Sequence, residues 1–446
     1  MKIAILGYGK EGQAALDYWQ VAGDEITVCD QQEVVVPDGV KLQTGPDYLA
    51  QLDRFDVLVR SPGLHPAEIT KANAQSPNIL GKVTTGTNEF FKVCPTNNVV
   101  GITGTKGKGT TSSLVACLLE AAGKTVHLGG NIGVAPLAML KSDIQDDDWV
   151  VLELSNFQLI DCAYSPAVAT CLMVVPEHLN WHSSMDEYVA AKRQLFAHQQ
   201  ATDTTVYNRL SATSQQIANA SPGFKRSYEV PKVGTQPTNT AGAYVQEDTI
   251  YVDQTPVCDI ADVALLGRHN LENICAALAT TWDLIGHDAT LAKRVIREFK
   301  GLEHRLELVR RVNDINYFND SFASTPDATV AAMAAVTGKK VMIVGGFDRG
   351  LDLSKLAQAI TAHQTDIRKL LVIGQSGPRL TKVLDTTGFT NYQLLADVTM
   401  PQIVAVAQAA AQPDDSVVLS PGFASFDMFK NFEDRGQQYQ TAVRAL

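Results

Sequence analysis

The chain has 446 residues, 45% hydrophobic and 19% charged, a globular balance sized for about three domains, which excludes disordered and collagen-like classes. Its 37 Lys+Arg against 48 Asp+Glu give a net charge of −11, so no overall field draws nucleic acid or an anionic membrane, and any anionic ligand needs a local site. No apolar run reaches the ~18–20 residues that span a bilayer, the N-terminus lacks a signal-peptide layout, and seven scattered cysteines without a C-x-x-C pair read as reduced thiols of a cytoplasmic protein.

Short apolar strands alternate with helical stretches, which predicts an α/β fold with mostly parallel sheets in three domains, 1–93, 94–299 and 300–446. The first opens with a strand over Lys2 to Leu6, a glycine turn, a helix and a strand over Ile26 to Asp30. Another strand, Asp56 to Ser61, is stopped by Ser61-Pro62-Gly63, and Thr84 to Asn88 reads as linker. The second has a strand over Val99 to Thr103, a glycine-rich loop and a helix from Lys108 to about Ala122. Trp149 to Leu154 and Val168 to Val175 follow, both continuous apolar runs of the buried-strand type. Ser211 to Asp253 reads as loops plus an edge hairpin around Tyr244 and Ile250. The third domain has strands at Lys340 to Val344, Leu370 to Ile373 and Ser416 to Leu419.

Two glycine loops follow strands. Gly7, Gly9 and Gly12 form a G-x-G-x-x-G that opens a helix, with Asp30 ending the next strand. NAD with Asp30 on its ribose, another nucleotide, or a structural turn all fit this pattern. The loop from Gly101 to Thr111 is more specific. Its backbone N–H groups at Gly104, Thr105, Lys106, Gly107, Gly109 and Thr110 can form an anion nest for ATP phosphates, with Lys108 as the point charge. The spacing is not that of a standard P-loop, and Gly109 stands where a magnesium-binding hydroxyl is usual, leaving Thr110 as the nearest substitute.

Glu153 closes a buried strand beside this loop, either as a hard oxygen ligand for ATP-bound magnesium or as an N-cap or salt-bridge carboxylate. His178 follows the next apolar run, as a ligand or as a packing residue. Wound as a helix, Met185 to His198 places Lys192 in the apolar stripe of Met185, Tyr188, Val189, Leu195 and Phe196. An ammonium there must pair, snorkel or lose its charge, and a neutral lysine can capture CO₂ as a carbamate able to hold magnesium.

Taken in order, these motifs resemble the Mur ligases, and the resemblance spans the chain. It includes Gly130-Asn131-Ile132-Gly133, Glu153-Leu154-Ser155, His178-Leu179-Asn180-Trp181-His182 and Ala190-Ala191-Lys192. It continues through Gly267 to Asn273, Gly301 to Arg305, Asn319-Asp320-Ser321 and Leu419 to Gly436. The resemblance implies a Rossmann-like N-terminal domain for a UDP-linked substrate, a central P-loop-type ATPase with a mostly parallel sheet, and a Rossmann-like C-terminal domain for the incoming amino acid. By matching position, Gly7, Gly9, Gly12, Asp30, Ser61, Gly63 and Asn131 serve UDP-N-acetylmuramoyl-L-alanine. Asn270, Arg305 and Asp320 serve ATP together with Lys108 and its loop. Arg349, Ser425 and Phe432 hold glutamate, and Glu153, His178, Thr110 and carbamylated Lys192 hold Mg2+, or Mn2+, with Lys108, His178 and Lys192 catalytic.

The reaction so implied is ATP-dependent addition of glutamate through an acyl phosphate, by a cytoplasmic monomer of the peptidoglycan pathway that binds neither nucleic acid nor membrane. The configuration of the glutamate, D or L, stays open. Lys106, Gly109, Glu177, Asn180, Phe322 and Arg349 depart from the usual pattern. The rivals are an NAD-dependent oxidoreductase, a ligase of the same superfamily acting on folate or another amino acid, and a non-catalytic relative.

Overall fold

The computed structural model describes residues 1–20 and 23–446. It holds three sheets in two compact units, Met1–Val263 with His269–Phe299, and Ala264–Arg268 with Lys300–Leu446.

The first sheet comprises Lys2–Leu6 (β1), Glu25–Asp30 (β2), Lys41–Thr44 (β3), Val57–Arg60 (β4) and Val83–Thr85 (β5). All pairs are parallel, in the order β3-β2-β1-β4-β5. Ile3, Ala4, Ile5 and Leu6 are all fully buried, as expected of a central parallel strand covered on both faces. The order reverses at β1, so the Gly7 turn sits at the topological switch point, where open α/β sheets take ligands. Thr84 and Thr85 are not linker: they lie in β5, and the Thr85 hydroxyl accepts from Asn88 N–H to cap the helix Gly86–Val93. The physical reason is the buried Phe90, which anchors that helix in the core.

The second sheet comprises Val99–Thr103 (β6), Val126–Gly130 (β7), Trp149–Glu153 (β8), Val168–Cys171 (β9), Thr204–Asn208 (β10), Phe224–Glu229 (β11), Ala243–Gln246 (β12), Thr249–Val252 (β13) and Thr255–Asp259 (β14). Its order is β14-β13-β12-β11-β10-β9-β6-β8-β7, with β6, again at a reversal, feeding the second glycine loop. Strands β12 to β14 are antiparallel, so the edge hairpin is present. The stretch before it is more regular than expected, holding the helix Ala212–Ala218 and β11, parallel to β10. Strand β9 stops at Cys171, short of Val175. Beyond it Leu172 N–H still donates to the Thr103 carbonyl, but the chain then leaves the sheet and Val175 is exposed.

The third sheet comprises Glu307–Val312 (β15), Ile315–Asn319 (β16), Lys340–Gly345 (β17), Ile367–Ile373 (β18), Tyr392–Leu394 (β19) and Ser416–Leu419 (β20). It is parallel except for the β15–β16 pair, in the order β15-β16-β20-β17-β18-β19. Met342, Val344, Leu370 and Val372 pack on one face, and Val341, Ile343, Leu371 and Ile373 on the other. Two covered faces explain why these strands read as unbroken apolar runs. No helix among the described residues is long and apolar enough to cross a membrane.

Candidate active site

The loop after β6 turns through Gly104 and Gly107 into the helix Lys108–Ala121. Gly107 has φ +87°, and a Cβ there would lie 2.2 Å from Asn273 Oδ1, so only glycine lets the helix Arg268–Thr281 close on the loop. Asn273 in turn donates to Asn270 Oδ1 (2.8 Å), which brings Asn270 to the same place. Thr105 is buried: its hydroxyl donates to the Val175 carbonyl and meets the Tyr188 hydroxyl at 3.0 Å. Lys106 reaches outward to Glu177 (2.5 Å). Gly109 and Thr110 are buried in the first turn of the helix.

Lys108 Nζ donates to the carbonyls of Gly104 and Thr105 (3.2 Å each), and Lys192 Nζ donates to the same Gly104 carbonyl at 2.9 Å. Lys192 rises from the helix Met185–Ala197 with 1% of its surface exposed, so its amine does not snorkel; it lies 4.6 Å over the Tyr188 ring. Burial first, and then the Lys108 ammonium, lower this amine from 10.5 to about 7. Burial thus favours the neutral, nucleophilic amine far more than for a lysine in water.

Glu153 ends β8 with one carboxylate oxygen accepting from Asn131 Nδ2 (2.8 Å) and the other buried without a hydrogen-bond partner among the described residues. It is no N-cap, because Ser155 caps the next helix by accepting from Gln158 N–H. An orphaned carboxylate oxygen in a nearly closed site suits a divalent cation, which needs hard oxygen donors. His178 is exposed, and burial of part of its ring, with help from Lys108, Lys192 and Lys106 and against Glu177, holds its imidazole below the ordinary value. The neutral ring is the form that binds metal. Glu153 and a neutral His178 thus offer donor types that such an ion takes, and Lys192 would do so only as an anionic derivative.

At the first glycine loop, a Cβ on Gly12 would lie 2.1 Å from the Gly7 carbonyl, so the glycine lets the helix Lys10–Gln20 close on the turn. That helix opens with Gln13 N–H donating to Gly9. Ser61 Oγ donates to Gly7 (2.7 Å), joining the two loops. The Asp30 carboxylate accepts from the N–H groups of Tyr8 and Gln32, one on each oxygen, which fixes it beside the loop with acceptor capacity left on both oxygens. Asn131 lies at Glu153, in the second module.

Sequence reasoning missed Arg60. Its buried guanidinium binds Asp161 through Nε (2.7 Å) and Nη2 (2.6 Å), and also donates to the carbonyls of Ser61, Pro62, Leu64 and Phe157. The signal was present: a lone arginine closing the apolar run Val57-Leu58-Val59 needs a partner.

In the third module the loops at the C-terminal ends of β16, β17 and β20 converge. Arg305 stacks its guanidinium 3.7 Å over the Phe322 ring, which meets Phe432 edge-on at 5.1 Å. Arg349 donates to the Ser324 carbonyl (2.6 Å). Ser425 is buried, its carbonyl accepting from Met428 and Phe429 N–H. Asp320 accepts from Ser420 Oγ and Leu306 N–H, and burial raises its carboxyl to about 7.

Three α/β modules, with a lysine-bearing glycine loop after the strand at the central switch point, are the architecture that open-sheet nucleotide-binding proteins share. Residues 102–281 match the Mur ligase middle domain and 304–423 the Mur ligase glutamate ligase domain. The chain is 34% identical to the UDP-N-acetylmuramoylalanine–D-glutamate ligase of Acetivibrio thermocellus, over 100% of this chain and 96% of that protein. It is 31% identical to the enzyme of the same name from Clostridium tetani, over 100% and 97%. Among solved structures, it is similar to the UDP-N-acetylmuramate–alanine ligase MurC of Thermotoga maritima (TM-score 0.61, 15% identity, covering 100% and 99% of the two chains). It is also similar to MurF of the same organism in complex with ADP (TM-score 0.61, 15% identity, covering 99% and 95%). The chain belongs to the Mur ligase family of ATP-dependent ligases.

Proposed function

We propose that this protein uses ATP to join D-glutamate to UDP-N-acetylmuramoyl-L-alanine in peptidoglycan precursor synthesis, as a cytoplasmic monomer with domains 1–93, 94–299 and 300–446. The observation that carries the reading is the convergence of Lys108 and Lys192 on the Gly104 carbonyl, within the electrostatic reach of Glu153 and His178. Full-length identity to D-glutamate ligases supports D over L.

Lys108 and the amides of residues 104–110 hold the ATP phosphates, and Asn270, Arg305 and Asp320 serve the rest of the nucleotide. Gly7, Gly9, Gly12, Asp30, Ser61, Gly63 and Asn131 serve the UDP-substrate, and Arg349, Ser425 and Phe432 the glutamate. Glu153, His178, Thr110 and a carbamate on Lys192 would hold Mg2+ or Mn2+, which supplies neutralisation of phosphate charge. The carbamate forms when neutral Nζ adds to CO₂ and releases a proton. The substrate carboxylate attacks the γ-phosphorus, ADP leaves, and the Lys108 ammonium offsets the charge that gathers there. The neutral amine of glutamate then adds to the acyl phosphate carbonyl; the C–N bond forms, the C–O bond to phosphate breaks, and the nitrogen sheds its proton.

Phosphate release from ATP plus UDP-N-acetylmuramoyl-L-alanine tests this. It is expected with D-glutamate and at background with L-glutamate or no amino acid. Equal turnover of both enantiomers removes the stereoselective pocket, and tight NADH binding without ATP hydrolysis overturns the reading.

A further inference from the structure

The segment after Ser61 and the turn that carries His178 are joined by side chains to which no role has yet been given. Trp181 Nε1 donates to the Gly63 carbonyl (3.0 Å), and its indole packs on the His65 imidazole at 4.4 Å. His65 Nε2 lies 3.3 Å from Glu187 Oε1, and His182 Nδ1 lies 3.3 Å from Glu187 Oε2. These three residues look like a cation site, but their hydrogen bonds argue otherwise. His65 Nδ1 accepts from Ala67 N–H, so in the neutral ring Nε2 carries the proton and faces Glu187 Oε1 in a close polar contact that lacks hydrogen-bond geometry. With its Nε2 beside Asn156 Nδ2 (2.8 Å), His182 donates through Nδ1. Glu187 also accepts from Ser183 N–H and Oγ. The group is a strap, hydrogen-bonded at Trp181–Gly63 and at Glu187 with His182 and Ser183, and closed by the His65 contacts with Trp181 and Glu187.

The strap ends on His178. That residue has φ +58°, a left-handed conformation that a non-glycine residue keeps only when its surroundings hold it. Here its carbonyl accepts from both Trp181 and His182 N–H (3.0 Å each). Phe157 wedges against His178 and Trp181 (4.8 Å each), while its own carbonyl is held by Arg60, the residue before Ser61. Two routes therefore run from the 61–65 loop to the His178 turn.

Building on the function proposed above, we propose that Trp181 and Glu187 are positioning residues through which UDP-substrate on the Ser61-Pro62-Gly63 loop sets the placement of His178, and so tightens divalent-ion binding. Free Mn2+ followed by electron paramagnetic resonance, with full-length protein and a non-hydrolysable ATP analogue, tests this with and without UDP-N-acetylmuramoyl-L-alanine. In the wild type the UDP-substrate is expected to tighten Mn2+ binding about fivefold or more. In Trp181→Phe, which keeps a ring but loses the N–H, and in Glu187→Gln, each ligand alone is expected to bind within about twofold of wild type while the coupling falls to near one. Coupling retained in both variants overturns the strap and leaves the function standing. So does a wild type that binds both ligands without coupling. A wild type that binds no UDP-substrate overturns the functional reading and the strap with it.

Discussion

Lys192 is where burial and charge conflict most sharply. Among the described residues this ammonium in an apolar helix face finds the Gly104 carbonyl as its acceptor, and an amine brought to about 7 exchanges its charge readily. If a carbamate there serves as an anionic ligand, Lys192→Ala should lower kcat about 100-fold and regain part of it with added formate or acetate. A fully active Lys192→Ala enzyme would rule the carbamate out. Glu11, inside the first glycine loop, poses the opposite case. One oxygen accepts from Gln158 (2.7 Å), the other has no hydrogen-bond partner among the described residues, and burial raises its carboxyl from 4.5 to about 7 against the pull of Gln158 and Arg60. The folded chain therefore keeps a proton that the unfolded chain sheds between pH ~4.5 and ~7, and Glu11 costs stability as pH climbs through that window. Relative to wild type, Glu11→Gln should gain stability between pH 5 and pH 8, read from urea midpoints; an unchanged gap at the two pH values would reject the assignment.

Strand β4 and its turn depend on a single guanidinium. Arg60 joins Asp161 to four backbone carbonyls, and removing it leaves a carboxylate and those carbonyls without their donor. Arg60→Met should cost about 3 kcal/mol in urea unfolding; a loss within ~0.5 kcal/mol, the range of an ordinary surface change, would contradict the rivet. The contrast with its own strand shows what the sequence makes legible. Val57-Leu58-Val59 announces a strand by its pattern, as do Val99 to Ile102 and Val341 to Val344, because strands covered on both faces lack polar alternation. The glycine loop with Lys108 was legible because phosphate binding demands local spacing. The partners of Arg60 and Trp181 were not, since Asp161 and Gly63 lie 101 and 118 residues away along the chain. Val168 to Val175 was overread for a related reason: an apolar run does not mark where Met173 and Val175 turn out of the sheet.

Across the whole molecule, sheets and compact units do not coincide. Ile3, Leu16, Trp19 and Phe90 of the first module share one hydrophobic cluster with Leu137, Met139, Ile144 and Leu152 of the second. The third module has two clusters on its own sheet, and Leu266 from the Ala264–Arg268 segment packs against the one that holds Met342, Val344, Leu370 and Val372. Sequence periodicity reports sheets, and so predicts three domains; apolar faces shared between modules decide what melts together. Calorimetry of the intact chain should therefore show at most two cooperative transitions, one for the first two sheets jointly and one for the third. A fragment of residues 300–446 should fold, but less stably than in the full chain because it lacks Leu266. A fragment of residues 1–93 should bind a hydrophobic dye, since Phe90 and Trp19 lose the neighbours that Leu137 and Met139 provide. Three separate transitions, or a 1–93 fragment as stable as the whole, would show that the shared cluster contributes packing without cooperativity.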